Sequence, residues 1–270
     1  SLIRGSVKGT NLGKNFGFHK AMDNSGAIIG PLAAFLLLTI FPLNYKNIFL
    51  IAGIPAVIGV ITIVFYIKEA SRPIADSSPK IKFSDLPKRF YFFLIIVFLF
   101  NLGNSADALL LVKTAETGIE KAYIPFVYMI FNVVSVIFAI PAGKISDNIG
   151  RTKLIFAGFL IYSFVYFMFG RFNSIGIFIP LFVLYGLYSA LADTGQKAMV
   201  GDLVSKEQIG TGFGLYHALL GITLLPASLI AGVLYDKVSP SAPFYFGSAM
   251  AAIAAIGIIF YSFTQRTEKP

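Results

Sequence analysis

The chain has 270 residues, 56% of them hydrophobic and only 13% charged, with a mean hydropathy of +0.78. Soluble domains carry roughly 25% charged residues, so this composition excludes a water-soluble fold and leaves a polytopic membrane protein with the lipid bilayer as its partner. The net charge of +9 does not indicate nucleic acid, because the basic residues lie in loops between apolar runs rather than in a patch on a soluble surface.

The chain contains no cysteine, which rules out disulfides, thiol catalysis and thiolate metal sites. Its two histidines, His19 and His217, are far apart in sequence, so no histidine metal site is expected. A hydrocarbon core about 30 Å thick needs roughly 20 apolar residues per helix. Runs of that order are predicted over Phe16–Phe41, Ile48–Ile67, Phe90–Val112, Tyr123–Ala142, Leu154–Phe169, Ile175–Val200, Phe213–Leu234 and Phe244–Phe263. They lack period-two alternation and are too long for tilted strands, so the fold class is all-α. Residues 68–89 between the second and third runs are rich in proline, serine and charge, as a solvated linker would be. The expected organisation is two helices in 1–67, a linker in 68–89 and a six-helix bundle in 90–270.

Between the fourth and fifth runs lies a short charged turn, Gly143-Lys-Ile-Ser-Asp147-Asn-Ile-Gly150-Arg151-Thr-Lys153. Its glycine, aspartate, glycine and basic residues resemble the cytoplasmic loop motif of the major facilitator superfamily of secondary transporters, Gly-x-x-x-Asp-(Arg/Lys)-x-Gly-Arg-(Arg/Lys). Asn148 and Thr152 depart from it at two basic positions. With this turn on the cytoplasmic side, 17 of the 22 lysines and arginines are cytoplasmic, the bias that sets topology in a cell membrane. Both ends of the chain are then cytoplasmic too.

A shift of 197 residues aligns Gly13-Lys-Asn-Phe16-Gly17-Phe-His-Lys-Ala21 with Gly210-Thr-Gly-Phe213-Gly214-Leu-Tyr-His-Ala218. Internal repeats relate the two six-helix halves of the superfamily fold. On that plan the first helix here matches the seventh. The chain then holds helices five to twelve of twelve, with about 108 residues and four spans expected ahead of Phe16.

Gly26-Ala-Ile-Ile-Gly30-Pro31-Leu-Ala-Ala34 resembles the Gly-x-x-x-Gly-Pro-x-x-Gly pattern of the superfamily's antiporters, mainly drug exporters, with Ala34 in place of the last glycine. Two glycines four apart leave a groove for another helix, and Pro31 permits a kink. Asp202-Leu-Val-Ser-Lys-Glu207-Gln-Ile-Gly210 also resembles superfamily loops.

The resemblance implies that the charged turn latches one conformation of a transporter. Asp147 is expected at the N-terminus of the helix starting near Phe213, where free N–H groups favour an anion. Arg151 is expected to pair with Asp202 or Glu207. Gly143 is expected to allow close helix approach and Gly150 a tight turn.

Ionisable and amide groups at membrane depth are functional candidates. Asn101, Asn104 and Ser105 share one face at i, i+3 and i+4, and Asn132 and Ser135 have the same offset on the next helix; they either line a cavity or bond neighbouring helices. Asp107 is expected toward the outer face. Asp193 and Lys197 are spaced for an intrahelical pair, with Gln196 on the same face. His217 and Asp23 lie two turns inside their helix ends, placed to titrate.

These residues predict a secondary active transporter of a small solute, working by alternating access. Coupling to a proton is expected, with a lean toward efflux by antiport. Uptake by symport and a non-transporting sensor are the alternatives. No compact catalytic set and no phosphate-binding loop of the Gly-x-x-x-x-Gly-Lys-Ser/Thr kind occurs in the sequence. Neither an enzyme nor a cofactor is expected.

Overall fold

The computed structural model of the protein describes residues 12–40, 45–66, 85–119 and 123–267. Nine helices lie within them: α1 Leu12–Ile40, α2 Tyr45–Tyr66, α3 Lys88–Gly103, α4 Ala108–Ala115, α5 Ile124–Ile149, α6 Arg151–Arg171, α7 Ile175–Leu203, α8 Ile209–Lys237 and α9 Ala242–Thr267. Among the described residues there is no strand. Most of the predicted linker falls in 67–84, outside the described residues.

The chain divides into two compact units. One joins residues 1–27 with 82–270, and the other is 28–81. The second unit holds the remainder of α1 and α2, whose stretch Leu50–Thr62 is a short apolar segment. In the first unit six segments are long and apolar enough to cross a membrane: Lys88–Ala115, Phe126–Ile149, Arg151–Arg171, Ile175–Leu203, Ile209–Lys237 and Ala242–Thr264. The helices overrun the predicted spans by several residues, because hydropathy marks only the lipid-matched stretch and the polar ends project beyond it.

Two sequence expectations change. The motif from Gly143 to Ile149 is not a turn. It continues α5, and only Gly150, at φ 97°, breaks the chain direction before Arg151 starts α6. An L side chain is strained at that φ, which a glycine adopts freely. The predicted third span is not one helix either. α3 stops at Gly103 and α4 restarts at Ala108. The intervening Asn-Ser-Ala-Asp stretch carries short polar side chains that compete for backbone groups and favour helix ends.

In lipid, the carbonyls released at such a break need donors. Tyr162 supplies one, its hydroxyl donating to the Gly103 carbonyl at 3.0 Å.

The core is built on α6 and α7. Phe159, Tyr162, Val165, Tyr166 and Phe169 of α6 are fully buried, with α7 on one side and α9 on the other. Phe100 of α3 stacks on Phe159 with centroids 4.1 Å apart. Leu160, Phe164 and Phe167 on the opposite face of α6 are exposed, as side chains facing lipid tails would be. Ser163 and Ser248 exchange reciprocal bonds between α6 and α9, each hydroxyl donating to the other's carbonyl, at 2.9 and 2.7 Å.

Small residues at the crossings replace the hydrophobic effect that lipid removes. Gly17 is the tightest case. A β-carbon there would collide with the Ala139 carbonyl of α5. Gly17→Val should therefore push α1 off α5 and cost about 1–3 kcal/mol. A lowered thermal transition of the purified protein would show it, and an unchanged transition would refute the contact.

Among the described residues, nothing lies within 4 Å of a β-carbon at Gly26 or Gly30. α1 also runs through Pro31 without interruption, and that side chain lies outside the described residues.

The two segments matched by the 197-residue shift both form helices. α1 and α8 are both 29 residues long and start 197 positions apart. Phe16 and Phe213 hold equivalent positions and touch, with centroids 5.6 Å apart.

Candidate functional site

Three polar clusters lie along the first unit. The first is at the α5–α6 junction. Arg151, the first residue of α6, donates from Nη1 to Asp147 Oδ1 at 2.5 Å and from Nε to Asp202 Oδ2 at 2.9 Å, and also to Ser146 Oγ at 3.0 Å. Arg151 and Asp147 are each only 12% exposed. The planar guanidinium suits this fork, which a lysine cannot reproduce.

Asp147 sits at a helix N-terminus, but not the predicted one. Its Oδ2 accepts the backbone N–H of Lys14, the third residue of α1, instead of a donor of α8. The first N–H groups of any helix lack intrahelical acceptors, and the starts of α1 and α8 carry the same Gly-x-x-Phe-Gly pattern. The sequence therefore offers two equivalent targets, and packing of α1 on α5 through Gly17 selects the first. Arg151 takes Asp202 near the end of α7 rather than Glu207. Hydrogen bonds from its own backbone amide and from the Ser205 hydroxyl hold the exposed Glu207 carboxyl below the usual carboxylate range. Gly143 is buried.

The second cluster is a closed polar ring deeper in the bundle. Lys20 Nζ of α1 bonds Asp193 Oδ2 of α7 at 2.5 Å. Ser189 Oγ donates to the same carboxylate oxygen at 3.2 Å, Ser135 Oγ of α5 lies 3.5 Å from Ser189 Oγ, and Asn24 Nδ2 of α1 donates to Ser135 Oγ at 2.8 Å. Asn24 lies one turn beyond Lys20, so the ring closes on α1. Ser135, Ser189 and Asn24 are buried. The expected intrahelical pair is thus replaced: Lys20 from α1 takes Asp193 in place of Lys197, because the close α1 approach brings its ammonium within reach. Gln196 accepts the Tyr216 hydroxyl of α8 at 3.3 Å.

The third cluster surrounds Asp107 at the α3–α4 break. Its Oδ1 accepts Tyr185 at 2.7 Å and its Oδ2 accepts Tyr128 at 3.0 Å. Tyr162, Tyr166 and Tyr188 pack behind them, with Tyr162–Tyr166 centroids 4.0 Å apart and Tyr185–Tyr188 centroids 5.2 Å apart. A cavity of about 370 Å³ opens in front, lined by Asn101, Asn104, Ser105, Ala106 and Asp107 on one wall and Leu220, Gly221 and Leu224 of α8 on the other.

Asn101 and Asn104 both line it, but not from one helical face, since Asn104 is past the end of α3. Asn101 donates to the Val97 carbonyl at 2.8 Å and Asn104 contacts the Tyr188 hydroxyl at 3.4 Å. Asn132 is not part of the cavity. It is buried and donates to the Tyr128 carbonyl on its own helix at 3.2 Å.

His217 lies on an exposed face of α8 between the rings of Phe213 and Tyr216. Asp23 is half-exposed and pairs with His19 at 3.1 Å, one turn away on α1. Among the described residues no group of three or more His, Cys, Asp or Glu is placed to hold a metal ion.

The tyrosines, Lys20, Asn24 and Ser189 escaped the sequence reading. The signal was present in the α7 stripe Tyr185, Ser189, Asp193 and Lys197 at four-residue spacing, and in Tyr162 and Tyr166 on α6. A helical wheel places each set on one face.

Residues 91–270 match the Major Facilitator Superfamily. This chain belongs to that family. It is 37% identical over 261 residues to an uncharacterized MFS-type transporter of Methanocaldococcus jannaschii, an alignment covering 92% of this chain and 64% of that protein. It is 32% identical over 120 residues to the MFS-type transporter ppzB of Metarhizium majus, covering 44% of this chain and 26% of that one. Multidrug resistance protein 2 of Bacillus subtilis is 28% identical over 146 residues, 53% of this chain and 35% of its own length. The chain therefore spans just under two thirds of the Methanocaldococcus relative. As a superfamily member with six helices long and apolar enough to cross a membrane among its described residues, it is a multi-pass membrane protein.

Proposed function

We infer that the complete protein is a secondary active transporter that moves a small solute by alternating access, with a proton as coupling ion and export as its direction. Alternating access needs contacts that hold one state and can be broken. The Asp147–Arg151–Asp202 triad with the Lys14 amide supports this reading most directly. It ties the start of α1 to α5, α6 and α7 through charges, which can part and re-form. On the twelve-helix plan α1 belongs to the N-terminal half and α3 to α9 to the C-terminal half, so the triad and the Lys20–Asp193 ring both lie on the seam where the halves separate.

Asp193 and Asp107 supply carboxylates at membrane depth for proton binding. Export is favoured by the Gly26–Pro31 pattern and by the likeness to a protein named for multidrug resistance. The basic ends of the helices face the cytoplasm of the cell membrane on this reading.

The test is flux through the full-length protein in proteoliposomes under an imposed pH gradient, with a panel of solutes. A solute accumulated uphill only while the gradient lasts, and exchanged against protons, fulfils the proposal. Accumulation with co-directional protons would make it a symporter. Flux indifferent to every ion gradient would refute coupling.

A further inference from the structure

We propose that a groove between the start of α6 and the end of α9 is a binding site for an anionic phospholipid, with Lys153 at its headgroup. The groove lies apart from the three polar clusters, and its occupation does not depend on transport.

Three observations carry the assignment. First, the lining is layered. Thr152, Lys153 and Ser262 supply two hydroxyls and an ammonium, whereas Phe156, Ile259 and Phe263 supply hydrocarbon. The groove has a volume of about 160 Å³, below the roughly 300–1,000 Å³ of sites that enclose a whole small molecule. It therefore suits a headgroup whose chains lie outside.

Second, the polar layer falls at the membrane boundary. Lys153 is the third residue of the apolar segment Arg151–Arg171, and Ser262 is the third from the end of Ala242–Thr264. α6 and α9 pack against each other and are joined by the Ser163–Ser248 bonds, so these two ends meet at one depth. Headgroups occupy that level, just outside the hydrocarbon, and a lysine there extends its ammonium toward them while its stem stays on apolar surface.

Third, the groove opens onto a track for an acyl chain. Lys153, Phe156, Leu160, Phe164 and Phe167 recur at intervals of three, four, four and three residues, which places them on one face of α6. Leu160, Phe164 and Phe167 are exposed among the described residues, as are Ile259 and Phe263 of α9. From Phe156 to Phe167 this stripe runs roughly 16 Å at 1.5 Å per residue. A cation above a hydrocarbon stripe complements an anionic lipid. Zwitterionic phosphatidylcholine carries the same phosphate, but its own ammonium repels Lys153.

The experiment places Phe263→Trp of the full-length protein in phosphatidylcholine vesicles containing rising fractions of phosphatidylglycerol brominated in its chains. Quenching of the added fluorescence, with the parent's subtracted, is compared with quenching by brominated phosphatidylcholine. The anionic lipid should reach half-quenching at an about fivefold lower fraction, the contribution of one lysine near an anionic surface. Lys153→Gln should remove the preference and Lys153→Arg should keep it. Lys206→Gln, on the exposed link between α7 and α8 at the same end of the bundle, should leave it unchanged.

Equal quenching by the two lipids overturns the proposal. So does a preference that survives Lys153→Gln, or one that Lys206→Gln reduces as much, because that would be the diffuse field of a basic surface. A preference abolished by inorganic phosphate but not by chloride at equal ionic strength would assign the groove to a free anion and overturn the lipid. No solute or gradient is present, so failure here leaves the transport reading intact, and failure of coupled flux leaves this one intact.

Discussion

Lys20→Met should destabilise the protein by about 2 kcal/mol. Removing one partner of a fully buried ion pair costs about 3–5 kcal/mol because the other charge is left uncompensated. Here Lys20 is 14% exposed and Asp193 33% exposed, and Ser189 still donates to the carboxylate, so the loss falls below that range. Asp193→Leu alone should destabilise similarly by stranding the ammonium. The double variant Lys20→Met with Asp193→Leu should recover most of the loss, since a well-packed apolar pair replaces a buried ionic one at little net cost.

Thermal unfolding of the four proteins in detergent forms a double-mutant cycle. A double variant as unstable as the worse single one would show that the pair is not the source. Function should separate from stability. All three variants should lose at least about tenfold in gradient-driven flux, because the ring Lys20–Asp193–Ser189–Ser135–Asn24 joins α1 to α5 and α7 through groups that can exchange partners, and an apolar replacement cannot.

Arg151→Ala should have the second large effect, on conformation more than on stability. The guanidinium is shared between Asp147 and Asp202. Without it Asp147 and Asp202 lose the guanidinium they share and repel each other across the junction. The contact between α1 and the α5–α6 corner should then open. Labels introduced at the exposed Phe18 of α1 and Ile149 of α5 report on this contact.

The distance distribution between them should shift to longer values in Arg151→Ala, and flux should fall at least about tenfold. Arg151→Lys should lie between, since it keeps the charge but loses the fork geometry. Asp147→Asn should do less than Arg151→Ala, because the amide oxygen still accepts from Lys14 while the charge is gone. Unchanged distances and flux in Arg151→Ala would refute the latch.

The sequence alone determined the membrane class, six of the spans that the structure shows and the positions of the charged motif residues. These features are local. Hydropathy over some 20 residues and the offsets within Gly143–Lys153 need no knowledge of neighbours. The likeness between the starts of α1 and α8 is local too, written in the residue type and order of Gly13–Ala21 and Gly210–Ala218.

The tertiary structure decided which partners those residues take. Asp147 had two equivalent helix termini within its chemistry, and the close approach at Gly17 chose α1. Asp193 had Lys197 at ideal intrahelical spacing, and Lys20 of α1 displaced it. The break at Asn104–Asp107 reads as one apolar helix in hydropathy, because four short residues hardly lower a window average. Its stability rests on Tyr162 satisfying the Gly103 carbonyl from another helix. In a bilayer every polar group must find its donor or acceptor within the protein, and a partner 50 to 170 residues away in the chain becomes visible only once the helices have packed.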